Sequence, residues 1–305
     1  MNNRQIKQHF VPQFYLKNFQ DDNGYVYCQK VIEDCKKLYK MSARSICYEK
    51  YLYDMIFDEC QVQDESLKKM KEDRILLKKS DYEYRLTLED KLSEIENFIS
   101  HALSEIIILS DLSGKQKGFL ALLCAMLYLR NPSEKKVFSD EYDLYKTNKR
   151  TKHKRKNMQL NEKGFGNKYF KNIESTQEKS LVWLIQLLPA IERYAKRLLD
   201  TCEITLYKIQ FPFLNLFITS DNPVIFVKDG FLMKNHEKSV KCDIDEVGKN
   251  VWLLPLSPYL LLIFKRHEKQ NNDNKKAFDQ NDFVRKINEL EKENAFRMTI
   301  KCNAK

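Results

Sequence analysis

The stretch VWLLPLSPYLLLIFKR, residues 251–266, decides the class of this chain. It is dense in aliphatic and aromatic side chains, and runs of this kind bounded by turn residues predict strands. Upstream, CEITLYKIQF (202–211), LNLFITS (214–220) and PVIFVKDGFLM (223–233) share the texture and are separated by Pro, Asn and Asp-Gly. Downstream, Asn281 to Asn294 returns to helical spacing, and Ala295 to Cys302 predicts a closing strand. The last third of the chain is therefore sheet-forming.

The middle reads differently. From about Ser80 to Leu109, Leu88, Leu92, Ile95, Ile99, Ala102, Leu103 and Ile106 recur at three- and four-residue steps, which predicts an amphipathic helix. Ser113-Gly114 breaks the chain, and Lys115 to Arg130 predicts a second helix whose centre, FLALLCAMLYL, is apolar on every face and so belongs in the core. Asn131-Pro132 ends it, because the residue before proline avoids the α region. A third helix is expected over Glu174 to Leu199, bent at Pro189.

Near the N-terminus, Pro12 is placed to open a short helix and Asp21-Asp22-Asn23-Gly24 to make a turn. Tyr25 to Val31 and Ile46 to Tyr53 are strand-like, and Asp58 to Ser80 is charge-rich and expected to be exposed. Together these predict an α+β chain, with a helical middle region packed against a mixed, mainly C-terminal β-sheet. Because N- and C-terminal strands can share one sheet, residues 1–305 are read as a single domain, with 134–172 as an exposed basic arm or loop.

Composition excludes several classes. Seven glycines, against about 21 at average usage, leave few positions for phosphate-cradling loops, and neither nucleotide-binding glycine motif occurs. No two of the eight cysteines stand in a C-x-x-C relation, which removes zinc-ribbon and thioredoxin-type readings. The polar start MNNRQIK lacks a secretory pattern, and the longest apolar run, Phe119 to Leu129, is too short to span a bilayer. A cytoplasmic protein with free thiols and no membrane association is expected. The net charge is +10, and KTNKRTKHKRK, residues 146–156, concentrates seven Lys or Arg in eleven positions.

Two short motifs carry more. His9-Phe10-Val11-Pro12-Gln13-Phe14-Tyr15-Leu16 resembles the opening signature of the bacterial family catalogued as domain of unknown function 4238. Ser220-Asp221-Asn222-Pro223-Val224 and Pro255-Leu256-Ser257-Pro258 are similar to later elements of the same family, so the resemblance spans nearly the whole chain. It also implies a helical carboxylate, at Glu96 or Glu89, and an arginine before a proline-containing break, at Arg130. The family carries no established reaction.

The residues can also be weighed individually. At about 100° per residue, Glu96 lies at the margin of the apolar stripe, with His101 on the polar side. A carboxylate there needs a partner, and Arg130 can grip it bidentately, as a structural ion pair or as part of a site. His9 has the chemistry of a general base, with Gln13 placed to orient it, or both residues tie down a buried N-terminal segment. Asp221 and Asn222 follow a strand, where they either position water or a divalent ion or form an Asx-turn before Pro223. An acid at Asp81 followed by Glu89-Asp90-Lys91 mimics a nuclease pattern, but on a helix rather than the strand that pattern needs.

These residues give a first expectation of an intracellular phosphodiester hydrolase, nuclease-like. In it His9, Glu96 and Asp221 are catalytic, and Gln13, Arg130 and Asn222 bind substrate. Lys149, Arg150, Lys152, Lys154, Arg155 and Lys156 contact nucleic acid, and a divalent metal is the cofactor the acids would suit. The alternative is a non-catalytic nucleic-acid or protein-binding module, of the kind a defence or mobile cassette would carry. A weaker alternative is a hydrolase of a small anionic metabolite.

Overall fold

The structure is a computed structural model that describes residues 7–31, 37–58, 71–72, 76–78, 83–109, 112–147, 175–210, 215–234, 236–242, 244, 247–267 and 279–302. In chain order its strands are β1 (Lys7–His9), β2 (Val26–Lys30), β3 (Tyr39–Met41), β4 (Tyr48–Lys50), β5 (Asp54–Asp58), β6 (Leu76–Lys78), β7 (Glu83–Thr87), β8 (Cys202–Lys208), β9 (Thr219–Ser220), β10 (Ile225–Lys228), β11 (Phe231–Lys234), β12 (Glu237–Lys241), β13 (Val251–Ser257), β14 (Leu260–Arg266) and β15 (Met298–Lys301). The α-helices are α1 (Gln13–Leu16), α2 (Glu89–Leu109), α3 (Gly114–Leu129), α4 (Pro132–Thr147), α5 (Ser175–Thr201) and α6 (Gln280–Asn294). The chain is α+β.

The contacts of the described residues divide them into two compact units, one drawn from 1–8, 49–95 and 134–190, the other from 9–48, 96–133 and 191–305. In the first, β5, β7 and β6 make a three-stranded antiparallel sheet. Asp54 takes Arg85 in an ion pair, and Leu88 N–H donates to the Tyr53 carbonyl (3.1 Å). Tyr53 stacks on Trp183 at 6.0 Å, and the Lys135 ammonium lies 4.9 Å from the Trp183 ring centre. The expected arm thus begins otherwise than the sequence suggests: residues 132–147 are helix α4, with Tyr142 buried. Pro132, ideal for a helix's first turn, and the apolar Val137, Phe138 and Tyr142 on one face account for it.

In the second unit the six-stranded sheet runs β12-β11-β10-β13-β14-β8, antiparallel at each junction. The period-two pleat separates its side chains. Ile225, Val227, Val251, Leu253, Leu261 and Ile263 pack with Phe283, Val284, Ile287 and Leu290 of α6 in one apolar cluster. On the other face Trp252 stacks on Phe226 at 4.6 Å and donates its indole N–H to the Tyr194 hydroxyl (2.8 Å), while Tyr194 stacks on Tyr128 of α3. A four-stranded antiparallel sheet, β3-β2-β15-β9, joins the two ends of the sequence.

Candidate functional site

The second unit brings the motif residues together. Helix α3 opens with a capping box between Ser113 and Gln116 and ends at Arg130, whose side chain is only 2% exposed. A buried guanidinium must find acceptors. One amine donates to Glu96 Oε1 on α2 (2.6 Å), and the other donates to the main-chain carbonyl of His9. The fork is therefore split between a carboxylate and the N-terminal segment rather than closing bidentately on Glu96.

Asn131, next in sequence, donates from its side chain to the Asp221 carbonyl (2.7 Å) and accepts from the Ser133 amide and hydroxyl, starting α4. Asp221 is fully buried. Its two carboxylate oxygens accept the backbone N–H groups of Phe296 (2.9 Å) and Arg297 (2.8 Å), fixing the turn between α6 and β15. Burial nevertheless raises this carboxyl above the ordinary aspartate value, with the two amides pulling it down in part. Asn222 donates to the Asn294 side-chain oxygen (3.2 Å) and backbone carbonyl (3.1 Å), and Asn294 donates back to the Asn222 (2.6 Å) and Val224 (2.9 Å) carbonyls.

His9 ends β1, buried, with its ring 5.7 Å from that of Tyr48. Gln13, the first residue of α1, places its side-chain nitrogen 3.4 Å from His9 Nδ1. Two residues on, Tyr15 donates its hydroxyl to the Pro255 carbonyl (2.5 Å) and meets the Thr219 hydroxyl at 2.8 Å. One short helix thus links the opening motif to the Pro255 motif and to the residue just ahead of the Ser220 motif.

Glu291 was not visible as a site residue, yet it is fully buried beside this cluster. Neither carboxyl oxygen receives a hydrogen bond of full geometry. The hydroxyl and amide of Ser220 face it and offset burial in part, and the nearby Asp221 charge adds to burial, so Glu291 is held well above the ordinary glutamate value. The signal was in the spacing: Phe283, Ile287 and Glu291 stand at four-residue steps on one face of α6. A raised acid contributes its full stability below the unfolded value near 4.3 and loses it as pH climbs through the folded value. Stability of the wild-type chain is expected to fall with rising pH, by at most about 1.4 kcal/mol per unit from this group. Glu291→Gln should flatten that slope and be the more stable form at pH 8, read by urea denaturation between pH 5 and 8.

Among the described residues no three His, Cys, Asp or Glu side chains gather closely enough to hold a metal ion. His9, Glu96 and Asp221 are spread over the network instead, with Glu96 on Arg130 and Asp221 on backbone amides. Lys149, Arg150, Lys152, Lys154, Arg155 and Lys156 lie outside the described residues, as does Asp81. The described cysteines Cys28, Cys47, Cys124, Cys202, Cys242 and Cys302 are free thiols, and burial raises Cys28 to about 12. Among the described residues no helix is long and apolar enough to cross a membrane.

The three motifs are joined in one hydrogen-bonded unit, and residues 7–305 match the family described as protein of unknown function (DUF4238). The chain belongs to that family. No curated protein and no solved structure matches it. For this DUF4238 member, sequence reasoning named His9, Gln13, Glu96, Arg130, Asp221 and Asn222, and missed Tyr15, Asn131, Glu291 and Asn294 as partners.

Proposed function

We propose that the protein is a nucleic-acid-binding module, in which the buried polar network locks the fold and the basic run 146–156 supplies affinity. The observation that carries this reading is where the charged atoms of the motif residues are engaged. Arg130 is held by Glu96 and the His9 carbonyl, and Asp221 by two backbone amides, all within the protein. Charge in excess at the surface, +10 overall, is what remains for a partner, and a polyanion is the complementary one.

The test is the salt dependence of binding to a labelled oligonucleotide. Each neutralised phosphate contributes about 0.9 to the slope of log K against log salt on duplex DNA. Replacing Lys149, Arg150, Lys152, Lys154, Arg155 and Lys156 by Gln should weaken binding and flatten the slope by up to about 5. An unchanged slope would remove the arm from the interface.

The hydrolase reading keeps one observation in its favour. Asp221 and Glu291 are neighbouring acids whose environments raise both, and such pairs serve as acid and base in enzymes. Cleavage of the bound oligonucleotide, lost in a folded His9→Ala variant, would establish it.

A further inference from the structure

We infer that the partly exposed part of the sheet face formed by β3, β2 and Lys301 of β15, away from the buried Ser220 of β9, is a stacking platform for single-stranded nucleic acid. This rests on the nucleic-acid reading above and adds a second contact surface with its own preference for strand state. The sheet is two-faced by its pleat. Val26, Cys28 and Ile300 point to the buried side, at 2% exposure or less. Tyr25, Tyr27 and Gln29, being odd-numbered against them, point to the other.

Register then sets the row that matters. Tyr27 of β2 stands opposite Lys40 of β3 on one side and Lys301 of β15 on the other, so an aromatic ring is flanked across the sheet by two ammonium groups. The next row, Gln29 opposite Thr299, is uncharged and hydrogen-bonding. Tyr25, 40% exposed at the entry to β2, carries the Lys40 ammonium 4.3 Å from its ring centre.

Rings interleaved with cations at strand spacing are what single strands require. Unpaired bases stack on the rings while the phosphates between them meet the ammonium groups. A duplex hides its base faces and gains only the charge term. Two acids lie in this region, Asp22, which is exposed, and Asp21, which is already occupied. Asp21 accepts the amides of Tyr25 and Asn23 and the Tyr27 hydroxyl, which steadies the Tyr27 ring, and these bonds, with the Lys40 charge nearby, hold it below the ordinary aspartate value. An acidic protein segment would use the same lysines without needing the rings.

The test is fluorescence anisotropy of the full chain with a labelled twenty-nucleotide oligo(dT) and with a duplex of equal length. Tyr25→Ala and Tyr27→Ala should each weaken oligo(dT) binding about tenfold or more and leave duplex binding unchanged. Tyr27→Phe, which keeps the ring and loses the Asp21 bond, should bind oligo(dT) as the wild type does. If wild-type chain binds oligo(dT) and the two alanine variants, folded by circular dichroism, bind it equally well, the platform is overturned while the nucleic-acid reading stands. Weakening of oligo(dT) and duplex alike would equally overturn the stacking role. If wild-type chain binds neither probe, the reading and the platform fail together.

Discussion

Arg130→Ala is expected to cost about 3–5 kcal/mol of stability, the usual penalty for breaking a buried, hydrogen-bonded ion pair from one side. The guanidinium is 2% exposed and ties two segments at once, α2 through Glu96 and the N-terminal segment through the His9 carbonyl. Removing it leaves both acceptors without this donor. Arg130→Lys should recover only part of the loss, because one ammonium cannot reproduce the planar fork that serves two acceptors in different directions. Urea midpoints of the two variants check the order. A structural role also predicts that whatever fraction remains folded binds oligonucleotide with wild-type affinity. An Arg130→Ala protein as stable as wild type would show that the pair does not hold the fold.

The second large effect is expected at Asp221. Its replacement by Ala strips the part-buried Phe296 and Arg297 amides of their acceptors and leaves an unfilled buried site, at up to roughly 1–3 kcal/mol in all. The damage should be local first, since the turn those amides make feeds β15, which pairs on one side with β2 and on the other with β9. Hydrogen exchange at residues 296–301 should accelerate before the rest of the unit loosens. Asp221→Asn keeps one acceptor oxygen and turns an amide donor toward the other N–H, so it should lie between wild type and Ala. If Asp221→Ala exchanges these amides no faster than wild type, the carboxylate is not the anchor of the turn.

Much of the fold was legible because its elements carry strong periods. Of the stripe, Leu88, Leu92, Ile99, Ala102, Leu103 and Ile106 are buried, while Ile95 is half-buried. The helix that carries them begins at Glu89 rather than near Ser80, and residues 83–87 are strand β7. The reason is visible afterwards: the three- and four-residue steps start only at Leu88, and ahead of it Tyr84 and Leu86 alternate with charge at a period of two. The all-apolar α3 and the amphipathic α6 stand nearly where spacing placed them. Strand pairing was less accessible, because the partners of β2 come from residues 39–41 and 298–301, and nothing local announces a pairing across most of the chain. The shared sheet of N- and C-terminal strands could be entertained from the sequence, but not its register.

The site was legible as residues and not as geometry. Glu96 and Arg130 form the expected pair, and Gln13 reaches His9 from the start of the helix that Pro12 opens. What the sequence could not supply is the direction of the bonds. Arg130 reaches a carbonyl of His9, not its ring, and Asp221 offers its carboxylate to a turn 75 residues away. Buried polar residues look alike in sequence whether they await a ligand or satisfy the backbone, and only the fold says which.

The most direct test of the central claim is to incubate full-length protein with labelled single- and double-stranded DNA and RNA, in Mg²⁺, Mn²⁺ or chelator, and to read binding and integrity of the probe in the same tubes beside a folded His9→Ala variant. The account predicts binding that weakens steeply with salt, probes left intact throughout, and a His9→Ala protein that is less stable but binds like wild type when folded. Cleavage by the wild type that disappears in that folded variant would contradict it and place chemistry, rather than architecture, at the buried network.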